Sequence, residues 1–70
     1  MDFTKPIYGE VEGFIDAIAA KVYFKRHGIE YTEQVEDSYY VGSFYIFKFP
    51  AMTEEQFKEA YNHTQVLFYQ

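Results

Sequence analysis

The segment DSYYVGSFYIFKFP carries apolar side chains at most of its positions, and this constrains the fold more than any other feature of the chain. Successive side chains of a β-strand point to opposite faces of the sheet. Tyr45, Phe47 and Phe49 are therefore expected on one face, and Phe44 and Ile46 on the other. A protein of 70 residues has little other material with which to cover two apolar faces.

The length and composition predict a single domain, residues 1–70, whose core is built from aromatic rings. A chain of this length is near the lower limit for independent folding. Aromatic residues make up 23% of the sequence, and each buried ring removes about 150–250 Å² from water. Because the chain has no cysteine, disulfides cannot support the fold, and we expect a reducing, cytoplasmic setting.

A first helix is predicted over residues 10–27, with a start that can extend back to residue 4. The apolar residues that recur at helical spacing are Ile7, Val11, Phe14, Ile15, Ile18 and Val22. This periodicity predicts that they form the stripe that packs against the core. Gly28 follows the basic residues of the last turn and is expected to end the helix.

Two strands are predicted after this helix, with a polar turn at residues 36–38 between them. From position 29 the apolar period changes to two, which is typical of a half-exposed strand. The aromatic segment then forms the second strand, with Gly42 and Ser43 at a bulge or a second turn, of which the bulge is favoured. Pro50 is expected to end this strand, because proline lacks the N–H group that a strand donates.

A second helix is predicted to begin after Thr53. Thr53 and Gln56 have the spacing of a capping box, and Met52 and Phe57 have that of a hydrophobic staple. Residues 65–70 suit either a third strand, which is favoured, or a continuation of the helix. The fold class is therefore α+β: two helices packed on a small antiparallel sheet in the order α-β-β-α, with a third C-terminal strand as the favoured ending.

Three arrangements can accommodate the second apolar face of the sheet. Helices on opposite sides would sandwich the sheet and cover both faces. Helices on one side would leave Phe44 and Ile46 exposed, and a large apolar patch usually marks an interface. That interface would hold either a second copy of the chain, giving a homodimer, or a different protein.

This surplus of apolar surface predicts that the protein binds another macromolecule. The net charge of −5 suits a basic partner. We expect a small non-enzymatic interaction module that inhibits or modulates its partner, of the kind that phages and mobile elements encode. If its carboxylates share one surface, the chain can act as a DNA mimic on a basic nucleic-acid-binding protein. The predicted contact residues are Tyr39, Tyr40, Phe44, Tyr45, Ile46, Glu30, Glu33, Glu36 and Asp37.

Two other functions stay open at this point. The basic residues between Lys21 and His27 could contact nucleic-acid phosphates, with Tyr23 or Tyr31 stacking on bases. The eleven acidic residues among 70 weaken the prediction of nucleic-acid binding, because carboxylates repel phosphates. Alternatively, the apolar sheet face could complete a larger complex, which would make the chain a structural subunit.

The sequence contains no motif for catalysis, metal binding or nucleotide binding. His27 and His63 each fall near the end of a predicted helix, where an imidazole suits the helix dipole. We therefore expect no enzymatic activity, no cofactor and no metal. The N-terminus lacks the features of a signal peptide, and the longest apolar run, residues 44–47, is too short to span a membrane.

Overall fold

The computed structural model describes residues 1–38 and 42–70, and in them two helices lie on a four-stranded antiparallel sheet. The elements are β1 (Ile7–Glu12), α1 (Phe14–Arg26), β2 (Thr32–Ser38), β3 (Gly42–Phe49), α2 (Glu54–His63) and β4 (Leu67–Tyr69). The strand order across the sheet is β2-β3-β1-β4. This β-α-β-β-α-β succession is the split β-α-β, or ferredoxin-like, arrangement. The α+β class and the C-terminal strand are confirmed.

The predicted element order α-β-β-α is wrong because residues 7–12 form a strand at the centre of the sheet. β1 pairs with β3 on one side and with β4 on the other. Ile7 and Val11 are four residues apart, a spacing that fits one helical turn and also two strand repeats. The residues between them distinguish the strand from a helix, because the side chains of Tyr8 and Glu10 point away from the buried side of β1.

Two glycines favour the observed strand and turn over the helix that the sequence predicts for residues 10–13. Gly9 lies in the strand, where a Cβ atom would stand 2.5 Å from Val66 Cγ1 and 3.1 Å from Phe49 Cε2. Gly13 has φ of 93°, a value that favours glycine over residues with a side chain. The chain turns at Gly13, and α1 therefore begins at Phe14 rather than at residue 10.

The β2–β3 hairpin is longer than predicted. Strand pairing continues through residues 36–38, where the sequence predicts a turn, and the last pair joins Ser38 to Gly42. Gly42 and Ser43 are consecutive paired residues, so the structure has neither a bulge nor a second turn there. Residues 39–41, which include the predicted contact residues Tyr39 and Tyr40, lie outside the described part of the chain.

The predicted helix boundaries at Gly28 and Thr53 are confirmed. The N–H of Gly28 donates to Lys25 O at 3.3 Å and that of Ile29 donates to Phe24 O at 2.9 Å, which is the Schellman pattern around a glycine of positive φ. At the start of α2 the capping box forms as the sequence predicts. The Gln56 N–H donates to Thr53 Oγ1 at 3.1 Å, and the Thr53 N–H donates to Gln56 Oε1 at 3.0 Å.

Both helices pack on the same face of the sheet. In α1, the ring centroid of Phe24 lies 5.4 Å from that of Phe47 and 4.9 Å from that of Phe49. In α2, the ring of Phe57 lies 5.4 Å from that of Phe68 on β4. Phe47 and Phe68 both pair with Gly9 of β1, which places them on one face. The arrangement with helices on opposite faces is therefore wrong.

The predicted core stripe of the first helix lies on its exposed side. The side chains of α1 that are buried are Ala17, Ala20 and Phe24. The exposed fractions of the predicted stripe are 62% for Phe14, 76% for Ile15, 40% for Ile18 and 44% for Val22. Small alanines allow the helix to approach the sheet closely, so that one large ring, Phe24, fills the space between the layers. The helix is apolar on most sides, and periodicity alone could not select the buried one.

Replacing Gly9 with alanine is expected to destabilise the protein. The added methyl group would meet Val66 and Phe49 at distances that the packed core cannot accommodate without shifting. Overpacking of this kind typically costs about 1–3 kcal/mol. Urea unfolding followed by circular dichroism measures the effect. A variant as stable as the wild type would show that β1 does not lie against β4 and β3 as described.

Candidate protein-binding surface

The sheet face opposite the helices, here called the open face, is where the candidate surface lies. The strand register places the following side chains on it: Tyr8, Glu10, Glu12, Thr32, Gln34, Glu36, Phe44, Ile46, Lys48, Leu67 and Tyr69. No described helix covers these side chains, because both helices pack on the other face. The topology of the sheet therefore defines this surface, and one depression on it is lined by Glu10, Glu12, Phe44 and Leu67.

Acidic and apolar side chains alternate across the open face. In the middle row, Glu10 of β1 stands between Ile46 of β3 and Leu67 of β4. In the next row an apolar side chain lies between two carboxylates, since Phe44 of β3 is flanked by Glu12 of β1 and Glu36 of β2. Each carboxylate thus has apolar neighbours, which strengthens its attraction to a cation that displaces water from the face.

At the other end of the open face, two tyrosine rings stack across neighbouring strands. The centroids of Tyr8 and Tyr69 are 5.8 Å apart, with 21° between the ring planes. Burial raises the pKa of the Tyr69 hydroxyl, and the negative charges of Glu10 and Glu36 raise that pKa further. The phenolic end of Tyr69 therefore lies in a negative electrostatic environment.

The exposure and charge of the open face distinguish it from an ordinary solvated surface. Leu67 is 74% exposed and Tyr69 is 42% exposed, while Phe44 and Ile46 are half-buried between their neighbours. Among the side chains that the register places on this face, three are carboxylates and Lys48 is the one cation. The face is at once apolar and acidic, which suits arginine and lysine side chains with long aliphatic stems.

The structure brings three of the predicted contact residues together and separates others. Phe44, Ile46 and Glu36 share the open face. Tyr45 lies on the opposite face from Phe44 and Ile46 and packs against the hydrophobic core. Glu30 is exposed in the segment between α1 and β2, outside the strands.

Glu33 is also directed away from the open face. It pairs with Phe47 in the register and so lies on the helix side, where its Oε2 is 3.1 Å from Lys21 Nζ. Glu33 and Glu36 therefore do not form one acidic surface. The side chain of Asp37 and the whole of Tyr39 and Tyr40 lie outside the described part of the chain.

The contact candidates that sequence reasoning missed come from β1 and β4. The sequence predicts a helix over the open-face residues of β1, and a helix there would not place them beside Ile46. The sequence carries part of the signal, because Ile7 and Val11 are apolar while Glu10 and Glu12 are polar, but Tyr8 and Gly9 interrupt the alternation. In β4, Leu67 and Tyr69 flank Phe68, which packs against the core, and because all three residues are apolar the sequence does not distinguish the two faces.

A second candidate site is a groove between the end of α1 and α2. The ring of Tyr23 lies 4.2 Å from that of His27 and 5.9 Å from that of His63. The Nε2 atom of His63 is 3.5 Å from a carboxylate oxygen of Glu59. Burial, and the charge of Glu59 to a smaller extent, raise the pKa of the Tyr23 hydroxyl. Within residues 1–38 and 42–70, no group of three acidic or histidine side chains is arranged to hold a metal ion.

The basic residues at the end of α1 and the tyrosines near them make contacts within the fold. Lys21 is engaged by Glu33. Tyr23 is turned toward α2, and Tyr31 packs on Phe24 with a centroid distance of 5.5 Å. Tyr31 is only half-buried and lines a surface depression together with Lys21 and Lys25.

Comparisons with protein-family models, with curated proteins and with solved structures find no match to this chain. Of the helices that the structure describes, none has the length and apolar character needed to cross a membrane.

The pKa of Tyr69 is expected to fall when Glu10 is replaced by glutamine. Removing a negative charge beside the hydroxyl makes the phenolate less unfavourable, so the raised pKa moves back toward its usual value. Carbon-13 NMR titration of the tyrosine Cζ signals measures this, and Tyr69→Phe identifies the signal. Glu54→Gln on α2 is the control and should leave the pKa of Tyr69 unchanged. Equal effects of both variants would contradict the placement of Glu10.

Replacing Tyr23 with phenylalanine is expected to stabilise the protein by about 1 kcal/mol, because a buried hydroxyl without a partner carries an uncompensated desolvation cost. Its oxygen has no hydrogen-bond partner among the described residues. Urea unfolding of Tyr23→Phe measures the change. Tyr61→Phe is the control and should have little effect, because Tyr61 is 65% exposed. A loss of stability in Tyr23→Phe would show that the hydroxyl is bonded.

Proposed function

We propose that this protein is a small non-enzymatic interaction module that binds an arginine- and lysine-rich surface of another protein through its open face. The observation that carries the proposal is the alternation of carboxylates and apolar side chains around Glu10, Ile46 and Leu67. By occupying that basic surface, the module would inhibit or modulate the partner protein that carries the surface.

The chemistry of arginine and lysine explains why such a partner fits. Their aliphatic stems can lie on Ile46 and Leu67, while the charged head groups reach the carboxylates of the same rows. Phosphates would meet three carboxylates on this face, and so the open face does not favour direct binding of nucleic acid.

A DNA mimic is the more specific form of this proposal. It requires that the basic surface be one that normally holds nucleic acid. The carboxylates available for it are Glu10, Glu12 and Glu36, rather than the four acids that the sequence suggested, because Glu33 faces the other side of the sheet.

Binding to a short peptide of alternating arginine and leucine tests the proposal. We expect NMR chemical-shift changes at the amides of β1, β3 and β4 around Glu10, and an affinity that falls as the salt concentration rises. Glu10→Gln should weaken binding by about fivefold, corresponding to about 1 kcal/mol for one charge-assisted contact.

The matched control is Glu55→Gln, which removes the same charge from an exposed position on α2. It should leave the affinity for the peptide almost unchanged. Equal losses from Glu10→Gln and Glu55→Gln would mean that the peptide responds only to net charge, and shift changes confined to the helices would place binding elsewhere. Either result overturns the proposal.

A further inference from the structure

The outer side of α1 exposes an apolar seam that the fold does not use. The members of this α1 seam, which are between 40% and 76% exposed, are Ile15, Ile18 and Val22. They lie three and four residues apart, the a-d-a spacing of a coiled-coil heptad, and Lys25 occupies the d position that follows. At about 100° per residue, the α1 seam lies roughly opposite the side of the helix on which Phe24 is buried.

The charged side chains on both sides of the α1 seam are basic. Lys21 and Arg26 occupy the flanking g and e positions, each about 60–80° around the helix from the middle of the seam. Asp16, the one acidic residue of α1, lies about 140° from that middle. Lys21 is paired with Glu33. Among the described residues, Lys25 and Arg26 are exposed and form no ion pair, so their positive charges are uncompensated.

We infer that the α1 seam binds an acidic amphipathic helix of another protein. Apolar side chains at the a and d positions of such a helix would lie on Ile15, Ile18 and Val22. Glutamates at its e and g positions would meet the basic residues beside the seam. Because charges at e and g positions determine which helices pair, the basic flanks of α1 select an acidic partner.

A second copy of this chain does not have that charge. In an antiparallel pair of α1 helices, like positions face each other, so Lys21 would meet Lys21 and Arg26 would meet Arg26. In a parallel pair, g positions face e positions, and Lys21 of one copy would meet Arg26 of the other. Both orientations oppose positive charges, and the helix of a different protein is therefore favoured.

A depression beside the α1 seam favours a protein segment over a membrane or a nucleic acid. The residues that line it are Ile18, Lys21, Val22, Lys25 and Tyr31. An apolar side chain of a partner helix can enter it next to the two lysines. A bilayer is broader than a helix and would bring anionic headgroups against the carboxylate of Glu33, which lies beside Lys21. Nucleic-acid phosphates would engage the lysines but leave Ile15 in water.

The interaction is expected to be weak and to be independent of the open face. α1 has 13 residues and is about 20 Å long at 1.5 Å per residue. So short a helix pair buries a small area, and we expect an affinity in the micromolar range. Binding of the arginine–leucine peptide reads the open face alone, and Ile15→Gln should leave it unchanged. Failure of this inference and failure of the proposed function therefore give different results.

Binding of a synthetic acidic helix tests the inference. The probe is a peptide of about three heptads with leucine at a and d and glutamate at e and g. NMR titration should show shift changes at the amides of α1, and the affinity should fall as the salt concentration rises. Ile15→Gln should weaken binding at least about fivefold through lost apolar contact. Arg26→Gln should weaken it about threefold, the effect of one exposed ion pair.

The matched controls lie on other surfaces. Leu67→Gln removes an equally exposed apolar side chain, since Leu67 is 74% exposed and Ile15 is 76% exposed. Lys58→Gln removes an exposed positive charge from α2. Both controls should bind the acidic peptide like the wild type, and circular dichroism should show every variant folded. Losses as large in the controls as in Ile15→Gln and Arg26→Gln, or shift changes confined to other elements, would overturn the inference.

The other occupants are tested with separate probes. A peptide of the same composition without the heptad spacing should bind at least about tenfold more weakly than the acidic helix. Phosphatidylserine vesicles and a single-stranded oligonucleotide should also bind more weakly than the acidic helix. Sedimentation equilibrium of the protein alone should show no self-association that Ile15→Gln reduces. Equal or tighter binding of any of these probes, or self-association through Ile15, would assign the α1 seam to a different occupant and overturn the inference.

Discussion

The packing of Phe24 between the two layers determines the rest of this structure. Its ring is fully buried and contacts Phe47 and Phe49 on the central part of the sheet. The alanines beside it on α1 allow the helix to approach closely enough for this contact. With both helices on that side, the chain has covered one face of its sheet. The other face, and the outer side of α1, are left with apolar side chains that need another explanation.

The open face and the outer side of α1 differ in the charged side chains that lie beside their apolar residues. On the open face, carboxylates are interspersed with Ile46, Phe44 and Leu67, an arrangement that is complementary to a surface of basic side chains. On the outer side of α1, by contrast, the exposed Ile18 and Val22 lie next to the basic residues Lys21 and Lys25.

The candidate site was predictable only where one period fits the local sequence. In β3 the alternation of Phe44 and Ile46 with Phe47 and Phe49 assigns each ring to its correct face, and the structure confirms it. Glu33 and Glu36 are three residues apart in a strand and so fall on opposite faces, which the same rule could have shown. Residues 7–12 were misassigned because the four-residue spacing of Ile7 and Val11 satisfies both a helix and a strand.

The sequence by itself determined the local features whose cause is local: the capping box at Thr53, the glycine end of α1, the two-faced aromatic strand and the strand at the C-terminus. Only the tertiary structure decided that residues 7–12 enter the centre of the sheet and that α1 turns its alanines inward. These outcomes depend on which surfaces fit together at close range, as Gly9 fits beneath Val66 and Phe49. Such complementarity involves residues that are far apart in the chain, and it cannot be predicted from the local spacing of apolar residues.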